Sequence, residues 1–265
     1  MFLLVCFFSF ISVIFPYYNQ DPIMMGLSGS YNTTAKGYQC VGVNPANLAF
    51  ENNNYIGLFG LNFSISNNLL TQQRLNSISG AFLDEDKKQE IIGYLDGNPM
   101  EINSFFNTPI IMNISINDFA ITSNVNYFST FKLSQDFLKL FLEGNSEVGG
   151  EYIYDLFMEN NFALISESSF TKAFNFGVVG LGFTIKYLRG LSYYNLEPTK
   201  YPYFQTDFLN ITSTSTYILK QNSGGEGLAI DLGFATKRTE SGLKFGMSII
   251  NFGGFVKWNK LNSPQ

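Results

Sequence analysis

A repeated alternation of apolar and small residues is the feature that most limits what this chain can fold into. In residues 179–187, Val, Leu, Phe, Ile and Tyr occupy the odd positions, while Gly, Gly, Thr and Lys occupy the even ones. Similar runs begin at Tyr55, Ile121, Leu228 and Leu243. A period of two predicts β-strands with one apolar face. With their flanks we expect these strands to span about 9–11 residues, which is the length of a tilted membrane strand.

The opposite face of these strands carries Gly, Ala, Ser, Thr and Asn, with single charges, where a solvated face would carry many Lys and Glu. Charged residues make up only 14% of the chain and aromatic residues 17%. This mixture suits a barrel wall with lipid on one side and a crowded interior on the other. We therefore predict an all-β fold, a partial antiparallel transmembrane β-barrel. The side chains expected to face outward are Phe59, Leu61, Phe63, Leu181, Phe183, Ile185, Leu228, Ile230, Leu232, Phe245 and Met247.

The N-terminal residues divide into two predicted segments ahead of the wall. An apolar run from Phe2 to Phe15 is too short to cross a bilayer as a helix, and it predicts a signal peptide over 1–18. The alternative is a buried N-terminal strand. Residues 19–53 are rich in Gly, Asn and Ser, which predicts a loop with at most a helical turn at Pro45–Leu48. Residues 54–265 then form the predicted wall.

Three stretches have a helical pattern and interrupt the strands. Asp84–Leu95 has acidic residues in its first turn, and Ser134–Leu142 begins with a possible capping serine. Tyr152–Met158 is the weakest of the three. We expect all of them in long connections, because barrels keep long loops on one side and short turns on the other.

The composition also excludes several functions. The chain has no histidine, which removes the common catalytic triads and histidine metal sites. Of its two cysteines, Cys6 lies in the predicted signal peptide and Cys40 is expected to be an inert thiol. We therefore expect no enzyme activity, no metal and no cofactor. A net charge of −5 without any basic cluster argues against nucleic acid as a partner.

Several segments in order resemble a known family. They are the 26–50 stretch with NPANLA, Glu167 after a strand start, KYLRG at 186–190, GEGLAIDLGFA at 225–235 and GMSIINFGGFVKW at 246–258. Together they look like the long-chain fatty-acid transporters of the outer membrane (FadL-like), and more closely like the related secretion-associated barrels (PorV-like). The resemblance covers most of the chain from Gly26 onward.

The resemblance implies that Asn44, Pro45 and Ala46 belong to a hatch inside the barrel; an ordinary Asn-Pro turn is the alternative. It also implies about 14 strands, within the range of single-chain barrels. The alternation supplies only nine or ten candidates, and the chain ends in KLNSPQ, where such barrels usually present an aromatic terminal strand. We therefore expect these residues not to close a complete barrel, so that the chain is a fragment or depends on a partner.

Three charged residues, Glu167, Lys186 and Asp231, fall on the small-residue face. They could bind a polar head group or hold the hatch, and the alternative is mutual neutralisation inside the barrel. Pairing is expected in either case, because an unpaired buried charge is costly.

The sequence predicts export to the bacterial outer membrane, with membrane lipid as one partner. The leading function is passive uptake of hydrophobic or small molecules. The alternative is a non-transporting barrel that anchors or delivers secreted proteins, with secretion-system proteins as partners. A soluble secreted β-protein is a third reading. Neither a specific ligand nor an oligomeric state follows from the sequence.

Overall fold

A computed structural model describes residues 30–144, 152–206 and 210–259, together with Met24, Gly26 and Leu27. The signal peptide predicted for residues 1–18 lies outside them. Ten strands of the described chain form one antiparallel sheet. They are β1 (Tyr55–Gly57), β2 (Asn62–Asn67), β3 (Met100–Pro109), β4 (Asn113–Ile116), β5 (Phe119–Leu133), β6 (Tyr152–Asp155), β7 (Met158–Phe176), β8 (Val179–Thr206), β9 (Ile211–Thr236) and β10 (Gly246–Trp258).

The ten strands lie in seven rows, because three rows are each made of two strands in succession. β3 and β4 both pair with β5, and β6 and β7 both pair with β8. β1 pairs with β4, and β2 pairs with β3. Each row is antiparallel to the next one along the chain, so the sheet is an up-and-down meander.

The sheet is not closed into a ring. In the described chain, β10 pairs with β9 alone, and the row of β1 and β2 pairs only with the row of β3 and β4. The expectation that these residues do not close a complete barrel is therefore confirmed. The number of rows is odd, so the first and last rows run in the same direction and could meet only as a parallel pair.

The two ends of the sheet differ in their connections. At one end, here called the short-turn end, residues 117–118, 177–178 and 237–245 join the strands. At the other end the connections 68–99 and 134–151 are long and contain the α-helices Gln72–Ile78, Glu85–Gly93 and Gln135–Glu143, whereas β8 and β9 are joined by residues 207–210 alone. The helices therefore lie in long connections, as the sequence predicted, but the connections at this end are not all longer than those at the other.

Two of the three predicted helices are observed. The helix Glu85–Gly93 begins after Asp84, whose Oδ1 accepts a hydrogen bond from the Lys87 backbone N–H at 2.9 Å. The helix Gln135–Glu143 follows Ser134. The helix predicted over Tyr152–Met158 is wrong: residues 152–155 form β6, paired with the end of β8. The helix Gln72–Ile78 was not predicted.

The predicted strand length is also wrong for the longest strands. β8 has 28 residues and β9 has 26, and they pair with each other along almost their full lengths. At ~3.3 Å per residue such a hairpin is about 90 Å long. The alternating runs used for the prediction cover only the part of each strand near the short-turn end.

One face of the sheet is apolar and exposed, and we call it the exposed face. Of the eleven side chains predicted to face outward, ten are exposed, from 41% for Ile230 to 83% for Phe59, and Phe183 is half-buried. Phe59 and Leu61, however, lie between β1 and β2, outside the strands, and they line a cavity. They do not meet in a core between two sheets. The opposite, covered face carries Gly180, Gly182, Thr184 and Lys186 of β8, all buried.

Candidate functional site

Residues 30–50, here called the N-terminal segment, lie on the covered face of β7, β8 and β9 near the short-turn end. The segment contains two 3₁₀ helices, Gly37–Cys40 and Pro45–Phe50. The second begins as predicted: the Asn44 side chain accepts a hydrogen bond from the Ala46 N–H at 3.1 Å, and Pro45 occupies the first helical position.

Small residues of the sheet make room for this segment. A Cβ added to Gly182 would lie 2.6 Å from the carbonyl oxygen of Pro45, and one added to Gly180 would lie 2.7 Å from Cβ of Ala49. A Cβ on Gly233 would lie 2.8 Å from the Ala46 nitrogen. These distances are shorter than van der Waals contact allows, so glycine is required at these three positions.

Asn44 ties the segment to the last two strands. Its Nδ2 donates to the Phe234 carbonyl oxygen at 3.0 Å and to Oδ1 of Asn32 at 2.8 Å. Asn32 in turn donates to the Ser248 hydroxyl at 2.9 Å, and that hydroxyl donates to the Val43 carbonyl oxygen at 2.6 Å. Asn44 is fully buried, so its own two donated bonds satisfy an amide group that water cannot reach.

A lysine from the connection between β9 and β10 holds the same segment. Nζ of Lys244 donates to the Thr33 carbonyl oxygen at 2.6 Å and to Oδ1 of Asn47 at 3.1 Å. Partial burial lowers the pKa of Lys244 below its ordinary value. The hydrogen bonds and the close packing fix the segment to the sheet. Whether it acts as a hatch stays a prediction.

Cys40 lies in the apolar core between the segment and the sheet. It is fully buried with Val41, Val43, Leu48 and Ala173, and its thiol donates to the Ala35 carbonyl oxygen at 3.3 Å. Burial, with a smaller effect from the Glu51 carboxylate, raises the pKa of the thiol well above its ordinary range. A buried, protonated thiol is a poor nucleophile.

The three charged residues singled out in the sequence lie together on the covered face. Nζ of Lys186 lies 2.9 Å from Oδ2 of Asp231 and 3.8 Å from Oε1 of Glu167. The contact between Lys186 and Asp231 is an ion pair that lacks the geometry of a hydrogen bond. Oδ2 of Asp231 therefore accepts no hydrogen bond from a described residue. Lys186 and Asp231 are almost wholly buried, and two carboxylates share one ammonium.

An irregularity in β10 completes this cluster. The register between β10 and β9 shifts between Ile249 and Phe252, which places Asn251 beside the charges with a φ of 56°. Its backbone N–H donates to Oδ1 of Asp231 at 2.8 Å, and its Oδ1 accepts from Lys186 at 2.8 Å. A β-bulge commonly re-aims a side chain in this way.

A cavity of about 460 Å³ adjoins the cluster on the covered face. Glu167, Lys186 and Asn251 form one part of its lining. Phe105 and Phe128 contribute a ring pair with centroids 5.3 Å apart. The rest of the polar lining includes the asparagines Asn62, Asn107, Asn113, Asn124 and Asn126.

The asparagines are connected in two chains across neighbouring strands. Asn62 donates to Asn107 at 3.3 Å, and Asn107 donates to Asn126 at 2.5 Å. Asn113 donates to Asn124 at 3.0 Å. Nδ2 of Asn124 and of Asn126 donates to no described residue, although both side chains are at least nine-tenths buried. The chains therefore end in amide donors at the cavity.

Sequence reasoning found the charged residues and the Asn44–Ala46 segment, but it did not single out these asparagines. The signal was present as the polar alternation of Thr122, Asn124 and Asn126.

No helix of the described chain is long and apolar enough to cross a membrane. Comparison of the chain with protein-family models, curated proteins and solved structures finds no match.

Proposed function

We propose that this chain forms part of the wall of an outer-membrane β-barrel, with the N-terminal segment as a hatch inside it. The barrel would let small molecules pass the membrane passively. The observation that carries the proposal is the combination of an exposed apolar face with a buried polar face on the same strands. A water-soluble sheet would bury the apolar face, because its exposure to water is unfavourable.

The size of the apolar band supports this proposal. On β8 and β9 the band ends at Arg189 and Glu226, which are cross-strand partners on the exposed face. It begins near the turn at Gly177, so it covers about nine residues of β8, or ~30 Å along the strand. With the usual tilt of ~35–45° this corresponds to about 25 Å of height, the thickness of the apolar belt of membrane barrels.

A lysine near the short-turn end of the apolar band is placed as expected for the boundary between lipid and water. Lys172 lies on the exposed face near the short-turn end, and its Nζ is 2.5 Å from Oδ2 of Asp118 and 3.6 Å from the centre of the Phe119 ring. An ammonium held between a carboxylate and an aromatic ring is suited to the boundary between lipid and water.

Closure of the barrel would need strands from outside the described residues. Single-chain bacterial barrels have an even number of antiparallel strands. Seven rows leave two edges that run in the same direction, so an odd number of further strands would complete an antiparallel ring. An open edge in lipid would leave backbone groups unpaired, which is too costly to persist.

The proposal is tested by purifying the protein from its parent membrane, together with any chain that pairs with its open edges, and reconstituting it into phospholipid vesicles. We expect the protein to need detergent in solution, to resist extraction from the vesicles by carbonate, and to make them permeable in a swelling assay with small solutes. A chain that stays monomeric in buffer without detergent would contradict the membrane assignment and favour the soluble reading. Insertion without permeability would agree with a membrane-embedded wall and would exclude passive passage of small molecules.

A second candidate function, anchoring of other proteins, is favoured by one observation. The hairpin of β8 and β9 extends far beyond the apolar band, and its outer part is rich in Tyr, Ser and Thr. A projecting polar hairpin could dock a secreted protein. Replacing residues 196–219 by a short Asn-Gly turn keeps Asn195 opposite Lys220, and it should then abolish partner binding in the parent cells and leave permeability unchanged.

A further inference from the structure

We infer that the cavity beside Glu167 and Lys186 binds a small uncharged molecule rich in hydroxyl groups, of the size and chemistry of a mono- or disaccharide. The inference names the ligand class of the conduit proposed above and rests on that proposal for its physiological role. Binding itself can be measured without transport.

The size and form of the cavity fit a small ligand. Its volume of about 460 Å³ falls in the ~300–1,000 Å³ range of small-molecule pockets. Asn124 and Glu167 are cross-strand neighbours, so the Asn chains adjoin the charged cluster directly. The Phe105 and Phe128 rings follow on β3 and β5, on the far side of Asn126 from Glu167. Convergent polar groups beside aromatic surface are characteristic of a ligand site.

The amide lining selects hydroxyl groups over hydrocarbon. Nδ2 of Asn124 and of Asn126 has hydrogen-bonding capacity that no described residue uses, and both side chains are buried. An acyl chain in the cavity would leave these donors unsatisfied, at a cost of about 1–3 kcal/mol each. A hydroxyl group both donates and accepts, so it can satisfy an amide donor and an amide or carboxylate oxygen together.

The charges of the cluster select against an anion. Glu167 and Asp231 are two carboxyl groups beside the single ammonium of Lys186, so the cluster offers no cation that is free to bind an anion. The Glu167 carboxyl group lines the cavity and accepts no hydrogen bond from a described residue. An anionic ligand would find no cationic partner there, whereas a hydroxyl group could donate to this carboxyl group.

Binding is tested by saturation-transfer-difference NMR on the full chain in amine-oxide detergent micelles, which carry no sugar. The probes are sucrose, octanoate and choline. We expect saturable binding of sucrose alone. Asn124→Leu and Asn126→Leu should each weaken sucrose binding about tenfold, because each removes a buried hydrogen bond to the ligand. Asn53→Leu, an exposed asparagine outside the cavity, should leave it unchanged.

Glu167→Gln separates the ligand classes even if the leucine variants fail to fold, because it preserves shape and removes one charge. A neutral ligand should bind this variant within about threefold of the original protein, since an amide oxygen still accepts a hydrogen bond. Binding of choline that Glu167→Gln abolishes, competition by octanoate, or no sucrose binding would each overturn the inference. If sucrose bound in micelles but the vesicles stayed impermeable, only the proposed passage of small molecules through the barrel would be contradicted.

Discussion

Gly182 of β8 lies so close to Pro45 that any side chain at this glycine would displace the N-terminal segment, since a Cβ would stand 2.6 Å from the Pro45 carbonyl oxygen. The alternation of the strand therefore has two separate causes. The odd positions are apolar because they are exposed on one face, and this even position is glycine because another segment fills the space in front of it.

Gly182→Val should detach the N-terminal segment from the sheet, because backbone atoms of the segment cannot yield as a flexible side chain would. The measurement is alkylation of Cys40 by maleimide in a Cys6→Ser background, so that only one thiol reports. We expect Cys40 to be protected in the parent and modified in Gly182→Val. Gly60→Ala is the control, because a Cβ there meets only Pro109 at ordinary contact distances. Equal protection in both variants would show that the segment packs elsewhere.

The raised pKa of Cys40 makes the stability of the fold depend on pH in a defined direction. The thiol keeps its proton in the folded chain, while in the unfolded chain it titrates near its ordinary value of about 9. Its contribution to stability is therefore complete below that value and is lost as the pH rises above it.

The free energy of unfolding should accordingly fall between pH 8 and 10.5 more steeply for the parent than for Cys40→Ala. Lys244 has a lowered pKa, so its effect has the opposite sign and stability gains as the pH approaches 10.5. Lys244 is present in both proteins, so the difference between their urea-unfolding curves reports the thiol together with its electrostatic effect on Lys244. Parallel curves for the two proteins across this range would mean that Cys40 is accessible to water when folded.

Lys186→Met should destabilise the protein strongly, by about 3–5 kcal/mol, because it leaves the buried carboxylate of Asp231 without a cation. The double variant Lys186→Met, Asp231→Leu should recover most of this loss, since the fully buried carboxylate of Asp231 is removed with its cation and only Glu167, which lines the cavity, loses a more distant partner. Lys220→Met, in an exposed pair with Glu197, should not change the stability measurably. A double variant less stable than Lys186→Met would refute mutual neutralisation of Lys186 and Asp231 as the reason for their pairing.

The sequence was sufficient for the strands of the apolar band, because residues such as Leu181 and Ile230 repeat with the period of a strand. It was not sufficient where pairing decides the structure. Residues 152–155 have no clear alternation, and they become a strand because β8 extends far enough to pair with them. The lengths of β8 and β9 follow from the same mutual pairing.

The site was predictable only in part for a similar reason. Glu167, Lys186 and Asp231 were recognised as charges on a small-residue face, and an unpaired charge there would be too costly. Asn251 joins them through a shift of register in β10, and such a shift depends on contacts between distant strands. The position of Pro45 against Gly182 likewise depends on packing across more than a hundred residues, which no local pattern encodes.

Ile230→Arg is the most direct test of which solvent faces the apolar band. Ile230 lies on the exposed face of β9, between Leu228 and Leu232 and well inside the band that ends at Glu226. If lipid surrounds this face, a guanidinium near mid-membrane should cost about 2–4 kcal/mol. If water surrounds it, the substitution replaces an exposed apolar side chain by a solvated charge and should cost almost nothing.

The measurement is urea unfolding of the protein in phospholipid vesicles, followed by the fluorescence of Trp258. Ser213→Arg is the matched control, because Ser213 is exposed on the same strand in the part that projects beyond the band. The lipid-facing arrangement requires a large loss for Ile230→Arg and none for Ser213→Arg, because only the first position would lie in hydrocarbon. Equal behaviour of the two variants would mean that the band at Ile230 meets water, and the barrel assignment would then have to be abandoned.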